Sequence, residues 1–437
     1  MSTTKLKNFL LTLIIVCSIM NLTINHRKEL YMTKVKVIDS IMGSGKTTWA
    51  INEICSHPEK KYIYITPYLD EITRMKHSTK DYNRMVEPNI YNKTSKKGNF
   101  HKLLSEGRNV CSTHALFTKA DGTTRQALNA NGYTLILDEV MNVVEEVDDF
   151  TIKDLHMLFK LGLVKTEGNL LIWDEENEYD EDISFRYSDI KNMCLNKNLL
   201  VVNDKLVYWN FPVDIFQYFE EVYILTYLFK GQIQKYYYDL YEVSYDYYQV
   251  DGAKLMPYSE EVALERIKPL KELINIYEGK INSIGDSRTS LSYNWFKTDA
   301  ENEDVLTPIL KNNLYNWFRN ISKCESDDRL WCTFKDARTK IKGDGYTKRF
   351  LPMNMRATNE FRNTKVLAYC CNRFLKPEIR SLFSSNDIIV DEDLWTLSEL
   401  IQWIWRSQVR EGKPIDIYIP SKRMRDILYS YLNGEIS

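Results

Sequence analysis

A short β-branched run, Val35-Lys-Val-Ile38, leads into Asp39-Ser-Ile-Met-Gly-Ser-Gly-Lys-Thr-Thr48 and then into the helix-like Trp49-Ala-Ile-Asn-Glu-Ile54. Strand, glycine-rich turn, helix is the order a phosphate-binding loop requires. It places a nucleotide at the carboxyl end of a strand in a mostly parallel sheet. Gly43 and Gly45 let backbone N–H groups come close to phosphate oxygens. The helix N-terminus adds partial positive charge there. The turn Gly43, Ser44, Gly45, Lys46, Thr47 and Thr48 is therefore the candidate phosphate cradle. Lys46 suits the β- and γ-phosphates, and the Thr47 hydroxyl suits Mg²⁺. Ser40 stands where the general pattern has its first glycine.

Roughly 90 residues on, Tyr133-Thr-Leu-Ile-Leu-Asp-Glu-Val140 reads as a buried strand ending in two carboxylates. Asp138 is the second candidate metal residue, and Glu139 the group that would orient and deprotonate an attacking water. A terminal Asp-Glu alone says little. Together with Lys46 it points to ATP and Mg²⁺ as cofactors.

Two more strands end in hydroxyls or proline: Tyr62-Ile-Tyr-Ile-Thr-Pro67 and Val110-Cys-Ser-Thr-His114. Their ends share the nucleotide edge of such a sheet, so Thr66, Pro67, Thr113 and His114 are candidates for nucleic-acid phosphates, with plain strand-end capping as the alternative. Between them Lys76, Lys80, Arg84, Lys93, Lys96, Lys97 and Lys102 make a basic stretch, either a solvated face or a DNA contact. Asp174 to Asp182 carries seven acids in nine positions and reads as an exposed loop rather than a metal site. Leu199 to Tyr208 reads as a hairpin around Asn203-Asp204, Val222 to Phe229 as a strand with Thr226 near its end, and Tyr236 to Tyr248 as further strand and core.

The chain has 437 residues and a formal net charge of -2. That length suits two or three domains, and the charge leaves any nucleic-acid contact to local patches. The eight cysteines include no Cys-x-x-Cys pair, as expected of reduced buried thiols in a cytoplasmic protein. The apolar run Phe9 to Ile24 is short for a membrane span. A signal, an anchor and a mis-assigned start are open. The third is favoured, because Lys28-Glu29 can be encoded as a ribosome-binding sequence just before Met32.

In the second half, Trp331 to Phe334 and Lys365 to Tyr369 read as strands. Thr396-Leu-Ser-Glu399 reads as a capping box opening a helix over 397–410. On that helix Gln402, Arg406 and Arg410 would line one stripe. A guanidinium fork suits polyphosphate charge, so the stripe is a candidate arginine finger set.

The series Ser-x-x-Gly-Ser-Gly-Lys-Thr, Thr-Pro, Ser-Thr-His, Leu-Asp-Glu, Leu-Thr-Tyr, Arg-Ala-Thr-Asn, Gln-x-x-x-Arg resembles the motifs of superfamily 2 helicases. It is similar in particular to the DEAD/DEAH-like type of phages and prophages. The resemblance runs from Met32 to about Asn433. It implies an α/β protein of two RecA-like P-loop domains in tandem with ATP in the cleft between them. The expected layout is an extension over 1–31, a first domain over 32–240 with an insertion at about 150–215, and a second domain over 241–437. The resemblance also implies that Gln402, Arg406 and Arg410 reach across the cleft. Thr226 would couple hydrolysis to grip on nucleic acid, and Arg356, Thr358 and Asn359 would sense both. Leu225-Thr-Tyr departs from the usual Ser-Ala-Thr, Arg410 is one position later than usual, and no upstream glutamine motif precedes the P-loop.

The activity so implied is a DNA-dependent ATPase, a helicase or translocase in phage replication, with DNA and replication proteins as partners and no membrane role. A terminase-like packaging ATPase would need a nuclease domain with clustered acids. A non-catalytic nucleotide switch would have no use for Glu139 and the arginines.

Overall fold

A computed structural model describes residues 34–90, 94–147, 150–174, 187–202, 206–353 and 360–436. The protein is α/β, with two RecA-like domains in tandem. Seven strands make the first sheet, in the spatial order Lys254–Pro257, Tyr245–Asp251, Val35–Asp39, Phe219–Thr226, Tyr133–Asp138, Lys61–Thr66, Val110–Thr113. All neighbours are parallel except the terminal hairpin pair. Such strands are covered on both faces, which is why Tyr133–Asp138 is buried at every position and reads as one apolar run.

Order in this sheet matters more than strand count. The strand Phe219–Thr226 is inserted between the P-loop strand and the Asp-Glu strand, pairing Thr226 with Asp39 and Leu225 with Asp138. Thr66 is paired with Thr113 farther along. Asp39, Thr226, Asp138, Thr66 and Thr113 thus lie along one carboxyl edge, where open α/β sheets bind ligands.

Between Asp138 and Phe219 the chain leaves the sheet to build a five-stranded antiparallel one. Its order is Val144–Glu146, Leu206–Asn210, Leu199–Val202, Leu170–Trp173, Val164–Glu167. It has a core of its own, with Leu155, Leu158, Leu171, Trp173 and Ile190 buried together. The two strands pair antiparallel as a hairpin, Val202 opposite Leu206, while the turn at Asn203-Asp204 lies outside the described residues. So does the acidic run beyond Asp174.

The second domain holds a parallel sheet in the order Ile274–Ile276, Ile415–Tyr418, Val366–Tyr369, Arg329–Cys332. The first sheet extends through Pro257, past the boundary expected at 240.

Two local expectations fail. The tyrosine-rich stretch is not all strand, because Ile233–Leu240 is a helix and only Tyr245–Asp251 pairs in the sheet. Tyr236, Tyr237 and Tyr238 are all buried, while Lys235 and Asp239, an ion pair 2.6 Å apart, keep one side of this helix partly exposed. Each hydroxyl finds a partner: the Asp391 amide 2.9 Å away, the Phe211 carbonyl at 2.6 Å and Gln234 Nε2 at 2.9 Å. The helix expected over 397–410 is also displaced. It spans Glu392–Ile404, capped by Asp391, whose side chain accepts from the Leu394 amide at 2.9 Å. Thr396 lies inside it, buried, and donates to the Arg373 carbonyl at 3.2 Å.

The seven cysteines among the described residues are free thiols, and all but Cys55 are buried. No described helix is long and apolar enough to cross a membrane.

Candidate nucleotide site and the facing arginines

The helix Lys46–Ser56 starts at the end of the P-loop, with Gly45 as its N-terminal flanking residue. Gly43 and Gly45 have φ of 79° and 95°, left-handed values that favour glycine. A Cβ on Gly45 would lie 2.7 Å from the carbonyl oxygen of Gly252, in the turn of the terminal hairpin. The hairpin therefore braces the loop. The Ser44 hydroxyl is buried with no hydrogen-bond partner among the described residues, and Thr48 is exposed.

Lys46 is not solvent-facing, as a polar loop suggests. It is buried, and its ammonium donates to the carbonyls of Ser40 and, at 3.2 Å, Ile41. Burial lowers its pKa, opposed by the carboxylates of Glu139, Asp138 and Asp39. The Thr47 hydroxyl is 3.3 Å from Asp138 Oδ2, and the Tyr64 hydroxyl donates to the same oxygen. Burial pushes the Asp138 carboxyl up to about 7; Tyr64 pulls it back and Glu139 adds to the rise. A desolvated carboxylate beside a hydroxyl and a buried ammonium is chemically fit to hold Mg²⁺ with phosphates.

The chain turns at Glu139, whose φ of 78° is rare for a side chain with a Cβ, and its amide donates to the Leu225 carbonyl at 2.9 Å. Glu139 lines a cleft of about 290 Å³ whose other wall carries Gln402, Arg406 and Arg410. These three share no helical stripe. The helix ends at Ile404, Ser407 donates to the Ile404 carbonyl at 2.7 Å, and Arg410 sits in the short turn Gln408–Glu411. The turn still delivers all three to one cleft. Trp405 extends to within 3.7 Å of where a Gly43 Cβ would be, so the second domain touches the P-loop directly. Arg406 Nη2 donates to the Tyr68 hydroxyl at 3.3 Å, and Arg410 Nε is 3.8 Å from Glu411.

Asp39 was not marked by any motif. It is buried and accepts from the amides of Leu228 and Phe229 at 2.9 and 2.8 Å, holding Leu228 at a φ of 56°. Tyr64 and Tyr68 also escaped the motif reading: Tyr64 is one more buried residue of its strand, and Tyr68 lies past the strand end, flanking the next helix.

Thr66, Thr113 and Thr226 lie on the same edge, with Thr66 and Thr226 buried and Pro67 and His114 directly following their strands. The Thr226 hydroxyl has no partner among the described residues. Arg356, Thr358 and Asn359 lie outside them. Part of the basic stretch is paired with acids: Lys76 and Lys96 flank Glu87 at 3.2 and 3.5 Å, and Lys97 is 2.7 Å from Asp121; Lys93 lies outside the described residues.

Comparison with known proteins adds a family. The chain is 43% identical over 415 residues, 92% of its length, to the whole of the SPβ prophage-derived uncharacterized protein YonV of Bacillus subtilis strain 168. It belongs to the YonV family. The model of the YonV middle domain matches residues 144–209, the five-stranded unit, and that of the YonV C-terminal Rossmann-like domain matches residues 268–432. Among solved structures, S. tokodaii Xpd4 aligns over 92% of this chain and 94% of its own at 13% identity and a TM-score of 0.49. An XPD helicase aligns over the same shares at 10% and 0.45. Likeness at this level decides neither fold nor activity.

Proposed function

We propose that this YonV-family protein is a nucleic-acid-dependent ATPase of the helicase or translocase kind, acting on DNA in phage replication in the cytoplasm. The observation that carries the reading is the two-walled cleft: Glu139 beside the P-loop on one side, Gln402, Arg406 and Arg410 on the other. Mg²⁺, held by Thr47 and Asp138, would offset charge on the outer phosphates. Lys46 exchanges its bonds to loop carbonyls for bonds to phosphate oxygens. Glu139 takes a proton from the attacking water. Arg406 meets the charge that builds up on the transferring phosphoryl group, where a guanidinium lowers the barrier more than it tightens binding. Closing and reopening of the cleft would shift the grip of the two domains along nucleic-acid phosphates.

The test is ATP turnover with and without single-stranded DNA, beside nucleotide binding on the same proteins. The parent should be stimulated by DNA, and Lys46→Ala should turn over no ATP. Arg406→Ala should lose up to about 10³–10⁵-fold in rate while binding ATP within a few-fold of the parent. An Arg406→Ala variant at the parental rate would sink the two-domain catalytic cleft.

A further inference from the structure

Arg406 follows the end of its helix, so no helical neighbours hold its long side chain. Its Nε is buried without a hydrogen-bond partner, and the one hydrogen bond the guanidinium makes among the described residues is to the Tyr68 hydroxyl across the cleft, at 3.3 Å. Tyr68 is a stiff anchor. It is the N-terminal flanking residue of helix Leu69–Ser78, it follows Pro67, and its amide donates to the Thr66 hydroxyl at 3.3 Å. Thr66 itself is fully buried at the strand end. The ring also lines the cleft with Glu139, and the nearby carboxylate and guanidinium act on its hydroxyl in opposite directions.

We infer that Tyr68 is a positioning residue: its hydroxyl holds the Arg406 guanidinium at the cleft, and its root at Thr66-Pro67 ties that placement to the sheet edge facing nucleic acid. The inference rests on the ATPase reading above. A guanidinium with one partner explores many rotamers, and a fixed acceptor removes most of them before ATP arrives. Because the acceptor stands on the first domain and the arginine on the second, the bond also sets how the two walls face each other. Any displacement of the Thr66-Pro67 strand end reaches Arg406 through one aromatic ring.

Tyr68→Phe removes the hydroxyl and keeps the ring, so thermal unfolding should match the parent. The experiment compares Tyr68→Phe, Arg406→Ala and the double variant in steady-state ATPase assays at saturating single-stranded DNA. It adds equilibrium binding of a non-hydrolysable ATP analogue with Mg²⁺. Tyr68→Phe should lower kcat, and the factor by which DNA stimulates it, about tenfold, the scale of one hydrogen bond to a charged group. Binding of the analogue should stay within about twofold. The double variant should be no slower than Arg406→Ala, because the hydroxyl acts only through that guanidinium. Parental kcat in Tyr68→Phe, or a double variant slower than Arg406→Ala by the full factor, would overturn the inference and leave the cleft standing. Parental kcat in Arg406→Ala would overturn both.

Discussion

Asp39 shows how one side chain organises the junction below the candidate nucleotide site. Burial pushes its carboxyl up to about 6, although two amides and Lys46 pull the other way. In an unfolded chain the same group ionises near 4. Between about pH 4 and 6 the folded protein therefore holds a proton that the unfolded chain has lost, and stability falls as pH rises. Above pH 6 both states are ionised and the penalty is constant. Over that window the loss is about 3 kcal/mol at most. Asp39→Asn removes this titration. The unfolding free energy of the parent minus that of the variant should thus be smaller at pH 7 than at pH 4, read from denaturant titrations at both. A difference that grows with pH would mean that Asp39 is held ionised.

At the scale of elements, the ends of helices decide which residues reach the cleft. Asp391, not Thr396, caps the helix Glu392–Ile404. Asp391→Ala should cost about 1 kcal/mol, the ordinary worth of an N-cap, read from the shift in denaturation midpoint. The P-loop end is stricter. Gly45→Ala meets both a left-handed φ and a backbone oxygen 2.7 Å from the new Cβ. A carbonyl in a hairpin turn cannot swing aside as a flexible side chain can. The variant should fold with a penalty of about 1–3 kcal/mol and lose ATP affinity, seen by nucleotide titration; unchanged affinity would show that the hairpin does not brace the loop.

For the whole molecule, the proposed ATPase requires the two sheets to be held at one distance. The contact is built from Tyr227, whose hydroxyl is 2.6 Å from that of Tyr431, and from Gly231, which lies against Leu394. A Cβ at Gly231 would stand 2.7 Å from the backbone carbon and oxygen of Leu394. Gly231→Ala should therefore separate the domains, at a cost of about 1–3 kcal/mol for overpacking. ATP turnover should fall much more than ATP binding, because the P-loop stays in the first domain while Arg406 moves away. Turnover at the parental rate in this variant would mean that the junction is slack. Lys376 and Glu146, 2.7 Å apart, add a contact from the second domain to the inserted unit.

Lys46 and Thr47 stood out as candidates because short-range rules govern them: a strand, a turn that needs glycine and a helix start leave marks within ten residues of chain, whereas Asp138 and Glu139 gained meaning only beside that turn. Arg406 and Gln402 were legible as residue types but not as geometry, since the helix starts and stops elsewhere than its local caps suggest and ends at Ile404, before Arg406. Thr396 looks like a cap in sequence, yet a buried partner on Arg373 takes its hydroxyl, and Asp391 takes the role. The helical tyrosines were misread for a related reason: three consecutive buried tyrosines mask the short polar side that Lys235 and Asp239 form one turn apart. Only the tertiary structure could assign Asp39, Tyr64 and Tyr68, whose partners lie far along the chain and leave no spacing in it. The same holds for the order of the sheet, which sets Thr226 between Asp39 and Asp138, because strand order follows from long-range packing rather than local preference.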